Sequence, residues 1–190
     1  MTKDDIISLP NAHLRQRSQK VHVFDDSLRA LIQDMKDATI DWESSREHEA
    51  GVALAAVQVD RLTRVVVIRD NFDNKDDQTF SVFINPKITK YEGKLVEDYE
   101  GCLSVPDVYG KVRRSNKVRI QAQDEMGREF RTTAEGFLAR VFQHEIDHTN
   151  GIVFIDRIKD DPEAFFRLMA DGHLEQLDYE KDVATNSILW

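Results

Sequence analysis

The sequence predicts an α+β fold: antiparallel or mixed sheets packed around a central helix carrying His144-Glu145-Ile146-Asp147-His148, with one helix near the N-terminus and another near the C-terminus. Three observations predict it. Short β-branched runs and turn signals cluster between residues 64 and 132, one apolar helical stripe precedes them, and two helical patterns follow. A chain of 190 residues buries about 70% of its unfolded surface, which supports one domain with its own core. The expected organisation is a single domain over 1–178 and a C-terminal tail over 179–190.

The elements follow in order. Asp25 or Asp26 can cap a helix whose apolar stripe is Leu28, Leu31, Ile32 and Met35, and which fades near Trp42. Trp42 to Glu49 is polar and reads as a loop. Gly51 to Ala56 is small and apolar and predicts tight packing. Arg64 to Arg69 reads as a strand, Asp70 to Gln78 as a charged loop, and Thr79 to Ile84 as a second strand stopped by Asn85-Pro86. Ile88–Tyr91 and Lys94–Val96 flank Glu92-Gly93, a hairpin signal. Val118–Ala122 and Glu129–Thr132 flank Asp124-Glu125-Met126-Gly127, another. Thr132 with Glu135 matches a capping box, and Gly151 suits the position just past a helix end, so a helix of about 16 residues is expected between them. Pro162 to about Leu177 reads as a third helix. The last dozen residues are polar and end on Ile188-Leu189-Trp190.

Composition narrows the function. Lys plus Arg is 26 against 35 Asp plus Glu, a net charge of −9. Such a chain is a poor reader of nucleic-acid phosphates. The longest apolar run, Val65 to Ile68, is far too short to span a membrane. Met1-Thr2-Lys3-Asp4-Asp5 leads into no long apolar stretch, so neither a secretory signal nor an organellar transit peptide is expected, and a soluble cytosolic protein is. The single cysteine, Cys102, cannot form an intrachain disulfide.

The segment Gln143-His144-Glu145-Ile146-Asp147-His148 carries the chemistry. On a helix, His144 and His148 lie about 40° apart and can hold one metal ion, while Glu145 sits to the side of it. That is what metal-assisted hydrolysis needs: a Lewis acid lowers the pKa of a water and a base takes its proton. Phe137 and Val141 share the azimuth of the histidines, and Arg140, Gln143 and Asp147 fall on the opposite side. A third ligand could come from downstream, at His173, Glu163 or Glu175, or from upstream, at Cys102 in Glu100-Gly101-Cys102-Leu103-Ser104.

Gly51-Val52-Ala53-Leu54-Ala55-Ala56-Val57-Gln58, Glu100-Gly101-Cys102-Leu103-Ser104 and Gln143 to His148, in this order and spacing, resemble the three signature motifs of the peptide deformylases. Leu9-Pro10, Leu14-Arg15 and Asp156-Arg157 extend the likeness over roughly residues 6 to 158. The resemblance implies an α+β enzyme that removes the formyl group from formyl-methionyl nascent chains near the ribosome, in a cytoplasm of bacterial type. It implies Cys102, His144 and His148 as ligands of one divalent ion, natively Fe(II), with Zn, Ni or Co able to take its place. It implies Glu145 as general acid/base, and the Gln58 side-chain amide and the Leu103 N–H as donors to the oxyanion. Val52, Ala53, Phe137 and Val141 are candidates for the pocket that takes the methionine side chain.

Three departures stand out. Ala53 replaces the usual glycine where backbone and substrate run close, so its methyl is expected to crowd the peptide while keeping ordinary β-region dihedrals. Thr149 replaces a common leucine after the last ligand. The Trp42–Glu49 segment reads as an insertion beside the first motif. Two competing readings remain at this level. One is a zinc peptidase with a third ligand beyond His148; the other is a protein that keeps the metal for stability alone.

Overall fold

The computed structural model describes residues 1–72, 74–186 and 189. One sheet of seven antiparallel strands dominates: β1 (Ala53–Ala55), β2 (Val65–Arg69), β3 (Phe80–Cys102), β4 (Val105–Gln123), β5 (Glu129–Glu135), β6 (Phe165–Leu168) and β7 (Leu174–Gln176). Its order is β1-β2-β3-β4-β6-β7, with β5 paired to the far end of β4. Among the described residues the one parallel contact is an isolated bridge, Gln19 to Thr63.

Two α-helices flank β1 and β2. Helix α1 (Asp26–Ser44) begins at Asp25, whose carboxylate accepts the Leu28 N–H at 3.1 Å. Its buried Leu28, Ile32, Met35 and Ala38 cluster with Leu54, Val65 and Val67. Helix α2 (Gly136–Thr149) packs Ala139, Val141, Phe142 and Ile146 on Val66, Ile68, Val118 and Ile120. Alternate residues of β2 thus face opposite helices, as the period of two requires. This is why Val65 to Ile68 is apolar without a break. A third cluster joins Cys102, Val105 and Val112 to Leu14, Phe154, Phe165, Val183 and Leu189. The described part of the expected tail is therefore docked: Val183 and Leu189 are buried, and Leu189 O accepts from Arg15 Nη2 at 3.1 Å. Ile188 and Trp190 lie outside the described residues.

Several expected boundaries differ. Asn85-Pro86 does not stop a strand, and Glu92-Gly93 is not a hairpin turn. Both are irregularities inside the 23-residue β3, where the register to β4 shifts. Asn85 adopts φ 53° and ties its side chain to Val21 N and Val21 O, at 2.8 and 2.9 Å. The true reversal is the two-residue turn Leu103-Ser104, which pairs Cys102 with Val105. The Asp124–Gly127 hairpin is present, with Asp124 N donating to Arg128 O at 3.0 Å.

Thr132 and Glu135 are strand residues opposite Ile120 and Lys117, so the capping-box reading is corrected: α2 starts at Gly136. The expected C-terminal helix is also overturned. Pro162–Ala164 makes a single turn capped by Asp161, and β6 and β7 then form a hairpin. Phe165 and Phe166 gain more from pairing with Gly110 and Tyr109 of β4 than from a short helix, and Gly172, inside the expected helix, occupies the hairpin turn.

Candidate active site

Four stretches of chain supply the site. Helix α2 presents His144, Glu145 and His148 from consecutive turns. It ends in a Schellman motif: Gly151 N donates to His148 O and Ile152 N to Asp147 O, each at 3.0 Å. Gly151 sits at φ 77°, and a β-carbon there would lie 2.6 Å from Arg15 O. The helix therefore stops at Thr149, one residue past the last histidine, against the N-terminal segment.

The β3–β4 hairpin supplies Glu100, Gly101, Cys102 and Leu103 at its tip. A β-carbon on Gly101 would lie 2.7 Å from the Tyr109 ring, so glycine lets that ring lie on the backbone beside Cys102. The turn Ala56–Val59 supplies Gln58, and β1 with the residue before it supplies Ala53 and Val52.

Cys102 Sγ and His144 Nε2 each lie 3.2 Å from His148 Nε2, and the three donors fall within 4.8 Å of one another. Ligands about 2.0–2.3 Å from one tetrahedral ion are separated by ~3.3–3.6 Å, so this triangle fits a single ion with one face left open. The electrostatics point the same way. Burial works against charge on both imidazoles, yet the Cys102 and Glu100 side chains raise the basicity of His144, while burial and His144 lower that of His148.

Glu100 fixes the nearest ring. Its Oε2 accepts from His144 Nδ1 at 3.0 Å, which leaves Nε2 free to bind metal. Burial would raise the Glu100 carboxyl, but Arg114 and His144 hold it well below the usual carboxylate range. Arg114 donates to both Glu100 oxygens at 2.9 Å, and Arg140 Nη1 adds a bond at 2.7 Å. Arg114 and Arg157 also grip Asp147 on α2. The face of α2 opposite the histidines is consequently not solvated: Arg140, Gln143 and Asp147 are buried in this network. Phe137, on the histidine side, is 48% exposed.

Glu145 is buried with Oε2 unpaired, and burial pushes its carboxyl up to about 7. Gln58 Oε1 accepts the Ala55 N–H at 2.9 Å, which turns Nε2 toward Ser104 Oγ at 3.1 Å and Cys102 Sγ at 3.5 Å.

A cavity of about 270 Å³ opens onto these groups. Val52, Ala53, Gln58, Leu103, Phe137, Val141 and Glu145 all line it with Cys102 and His144. Ala53 is absent from the residues at positive φ, so its backbone is ordinary strand. Trp42, His48 and Glu49 also line the cavity, so the segment read as a loop, which is in fact helical as far as Ser44, forms part of its wall. Tyr109 closes that side by donating to Glu49 Oε2 at 2.7 Å. Thr149 is fully buried and its hydroxyl donates to Ile146 O at 2.8 Å, so it fills the leucine position without an unpaired polar atom. The downstream ligand candidates stay apart: His173 pairs with Asp171, and Glu163 accepts from Gln176.

Sequence reasoning missed Arg114, Arg140, Tyr109, and Phe72, whose ring packs tilted against Phe137 with centroids 5.0 Å apart. The available signal was Glu100 beside the ligand cysteine: a buried carboxylate requires cationic partners.

Comparison with known proteins agrees with this geometry. The family model described as polypeptide deformylase matches residues 3–163. The peptide deformylase of Chromobacterium violaceum is 42% identical over 154 residues, covering 81% of this chain and 86% of that protein. That of Caldicellulosiruptor bescii is 43% identical over 163 residues, covering 86% of each. Among solved structures, the Synechococcus elongatus peptide deformylase in complex with actinonin superposes with a TM-score of 0.73 at 38% identity, over 80% of this chain and 78% of that one. The Legionella pneumophila enzyme gives 0.71 at 41% identity, over 80% and 83%. This chain belongs to the polypeptide deformylase family, the metal-dependent hydrolases that remove the formyl group from formyl-methionyl polypeptides.

Proposed function

We propose that Cys102, His144 and His148 hold one divalent ion, natively Fe(II) with Zn, Ni or Co as substitutes, and that Glu145, Gln58 and Leu103 carry out deformylation beside it. The observation that carries this reading is the convergence of three buried donor atoms next to an unpaired Glu145 oxygen at the floor of the cavity. When bound, the ion supplies a Lewis acid that activates water and polarises the formyl carbonyl. Gln58 Nε2 and the Leu103 N–H hold the formyl oxygen as negative charge develops on it. Glu145 takes the proton of the attacking water and delivers it to the peptide nitrogen as the C–N bond breaks, releasing formate and a free N-terminal amine. Val52, Ala53, Phe137 and Val141 surround the methionine side chain.

The substrates are the formyl-methionyl ends of nascent chains near the ribosome, in a cytoplasm of bacterial type, and the working unit is the 1–178 domain together with the 179–190 tail, whose Val183 and Leu189 pack into its core. Among the described residues no helix is long and apolar enough to cross a membrane. The test is formate release from a formyl-Met peptide by anaerobically prepared protein, with metal analysis of wild type and Cys102→Ala. Loss of both metal and activity in the variant supports the ligand set. Metal retained without Cys102 overturns it.

A further inference from the structure

A second groove, of about 810 Å³, lies between residues 17–22 and strands β3 and β4. None of its lining residues lines the catalytic cavity. Arg64 is buried at its base. Among the described residues, four arginines are buried, and the other three each pair with a carboxylate: Arg69 with Glu43, and Arg114 and Arg140 with Glu100. Arg64 has only neutral acceptors. Nη1 donates to Thr149 O at 3.3 Å and Asn150 Oδ1 at 2.9 Å, and Nη2 to Pro86 O at 3.2 Å. The C-terminus of α2 contributes about half a negative charge, which leaves the guanidinium partly uncompensated.

The surroundings do not supply the missing charge. Arg17, Lys20 and Lys87 line the same groove, are exposed, and form no ion pair among the described residues. The one charged group acting appreciably on Arg64 is Arg17, a second cation. Ser18, also in the lining, has a buried Oγ with no hydrogen-bond partner. Glu129 is the one acidic side chain on the rim, and it accepts from Gln121 Nε2 at 3.2 Å. A concentration of unpaired cations in a chain of net charge −9 is not a consequence of composition.

We propose that this groove is a binding site for a phosphate group, anchored by Arg64 and surrounded by Arg17, Lys20 and Lys87. The Arg64 Nε–H, which finds no acceptor among the described residues, supplies a directed donor. The three rim cations suit a group that carries more than one negative charge better than a single carboxylate. The phosphate belongs either to a small diphosphate-like ligand or to a polynucleotide backbone, and the chemistry recognised is the same.

The test uses metal-loaded enzyme at low ionic strength, with inorganic pyrophosphate titrated calorimetrically and a short labelled single-stranded RNA followed by anisotropy. The double variant Arg17→Ala/Lys87→Ala changes exposed side chains only and retains deformylase turnover. The variant is expected to bind the preferred probe about tenfold more weakly. If RNA is the preferred probe, its salt slope also falls by about 1.4, at about 0.7 for each lost contact to a single strand. Tight pyrophosphate binding with weak RNA binding assigns a small ligand, and the reverse assigns a backbone. Binding of equal strength in wild type and variant would place the anion elsewhere, at the metal for instance, and overturn the proposal. So would failure of wild type to bind either probe.

Discussion

Replacing Glu100 with glutamine is the sharpest test of how the metal site is held. The side chain keeps its size and loses its charge. In the native site Oε1 accepts from Arg114 Nε and Arg140 Nη1, and Oε2 from Arg114 Nη2 and His144 Nδ1. A glutamine amide retains one oxygen. Whichever way it turns, two of these four bonds are lost and an NH2 group faces a cation or the His144 N–H. At about 1.5–3 kcal/mol for each bond to a charged group, the loss is ~3–6 kcal/mol. Removing one partner of a buried ion pair gives a consistent figure of about 3–5 kcal/mol. For a domain of this length each kcal/mol moves Tm by about 2–4 °C, so a fall of roughly 6–24 °C is expected. His144 also loses the acceptor that fixes its tautomer, which weakens metal binding by about 10–100-fold. Denaturant unfolding of metal-stripped protein measures the first effect, and competition with a chelating indicator measures the second. Glu97→Gln is the control, because its pair with Arg113 is exposed on the same hairpin and contributes little. If Glu100→Gln resembled this control in both assays, the network would not be what supports the site.

Three further outcomes are expected. Glu145→Gln keeps metal content near wild type and lowers kcat by about 10²-fold or more; turnover within a few-fold of wild type in a formate assay would remove Glu145 from the proton path. Ala53→Gly lowers stability by roughly 0.4–1 kcal/mol through the unfolded chain and raises kcat/KM for formyl-Met peptides modestly, whereas unchanged kinetics would show that the methyl does not crowd the substrate. Gly151→Ala places a side chain at φ 77° and 2.6 Å from Arg15 O, so a urea midpoint shift corresponding to at least ~1–2 kcal/mol is expected; a shift near zero would mean that the α2 terminus relaxes freely.

The metal triad was legible because its parts are local patterns. A histidine pair one turn apart and a cysteine flanked by glycine announce themselves at short range, and the three linked motifs fixed their partnership. The network behind them was not. Arg114 lies 14 residues from Glu100 and Arg140 lies 40 from it, and only the β3–β4 register and the position of α2 bring them together. On a helical wheel Arg140, Gln143 and Asp147 make a solvent face. They are buried because the long hairpin wraps that side of the helix. Strand ends were misread for a related reason. Asn85-Pro86 and Glu92-Gly93 have turn chemistry but serve as bulges, while the real turn, Leu103-Ser104, carries no glycine, asparagine or proline. The C-terminal hairpin was hidden because Phe165-Phe166 fits either period until β4 is there to pair with it.

The position of Cys102 at the tip of the longest hairpin has a consequence for cohesion as well as chemistry. Cys102 and the two histidines belong to a hairpin tip and a helix, with 41 residues of chain between Cys102 and His144. An ion shared among them acts as a cross-link that ties the β3–β4 tip to the core helix, in a protein that has no disulfide to do so. Occupancy then becomes a term in folding: free metal at 100 times its dissociation constant adds about 2.7 kcal/mol to the native state. With Cys102, His144 and His148 as the proposed ligands, metal supply is expected to set how long the protein survives proteolysis and heat, and an oxidant that modifies the Cys102 sulfur is expected to loosen the hairpin tip as it ends turnover.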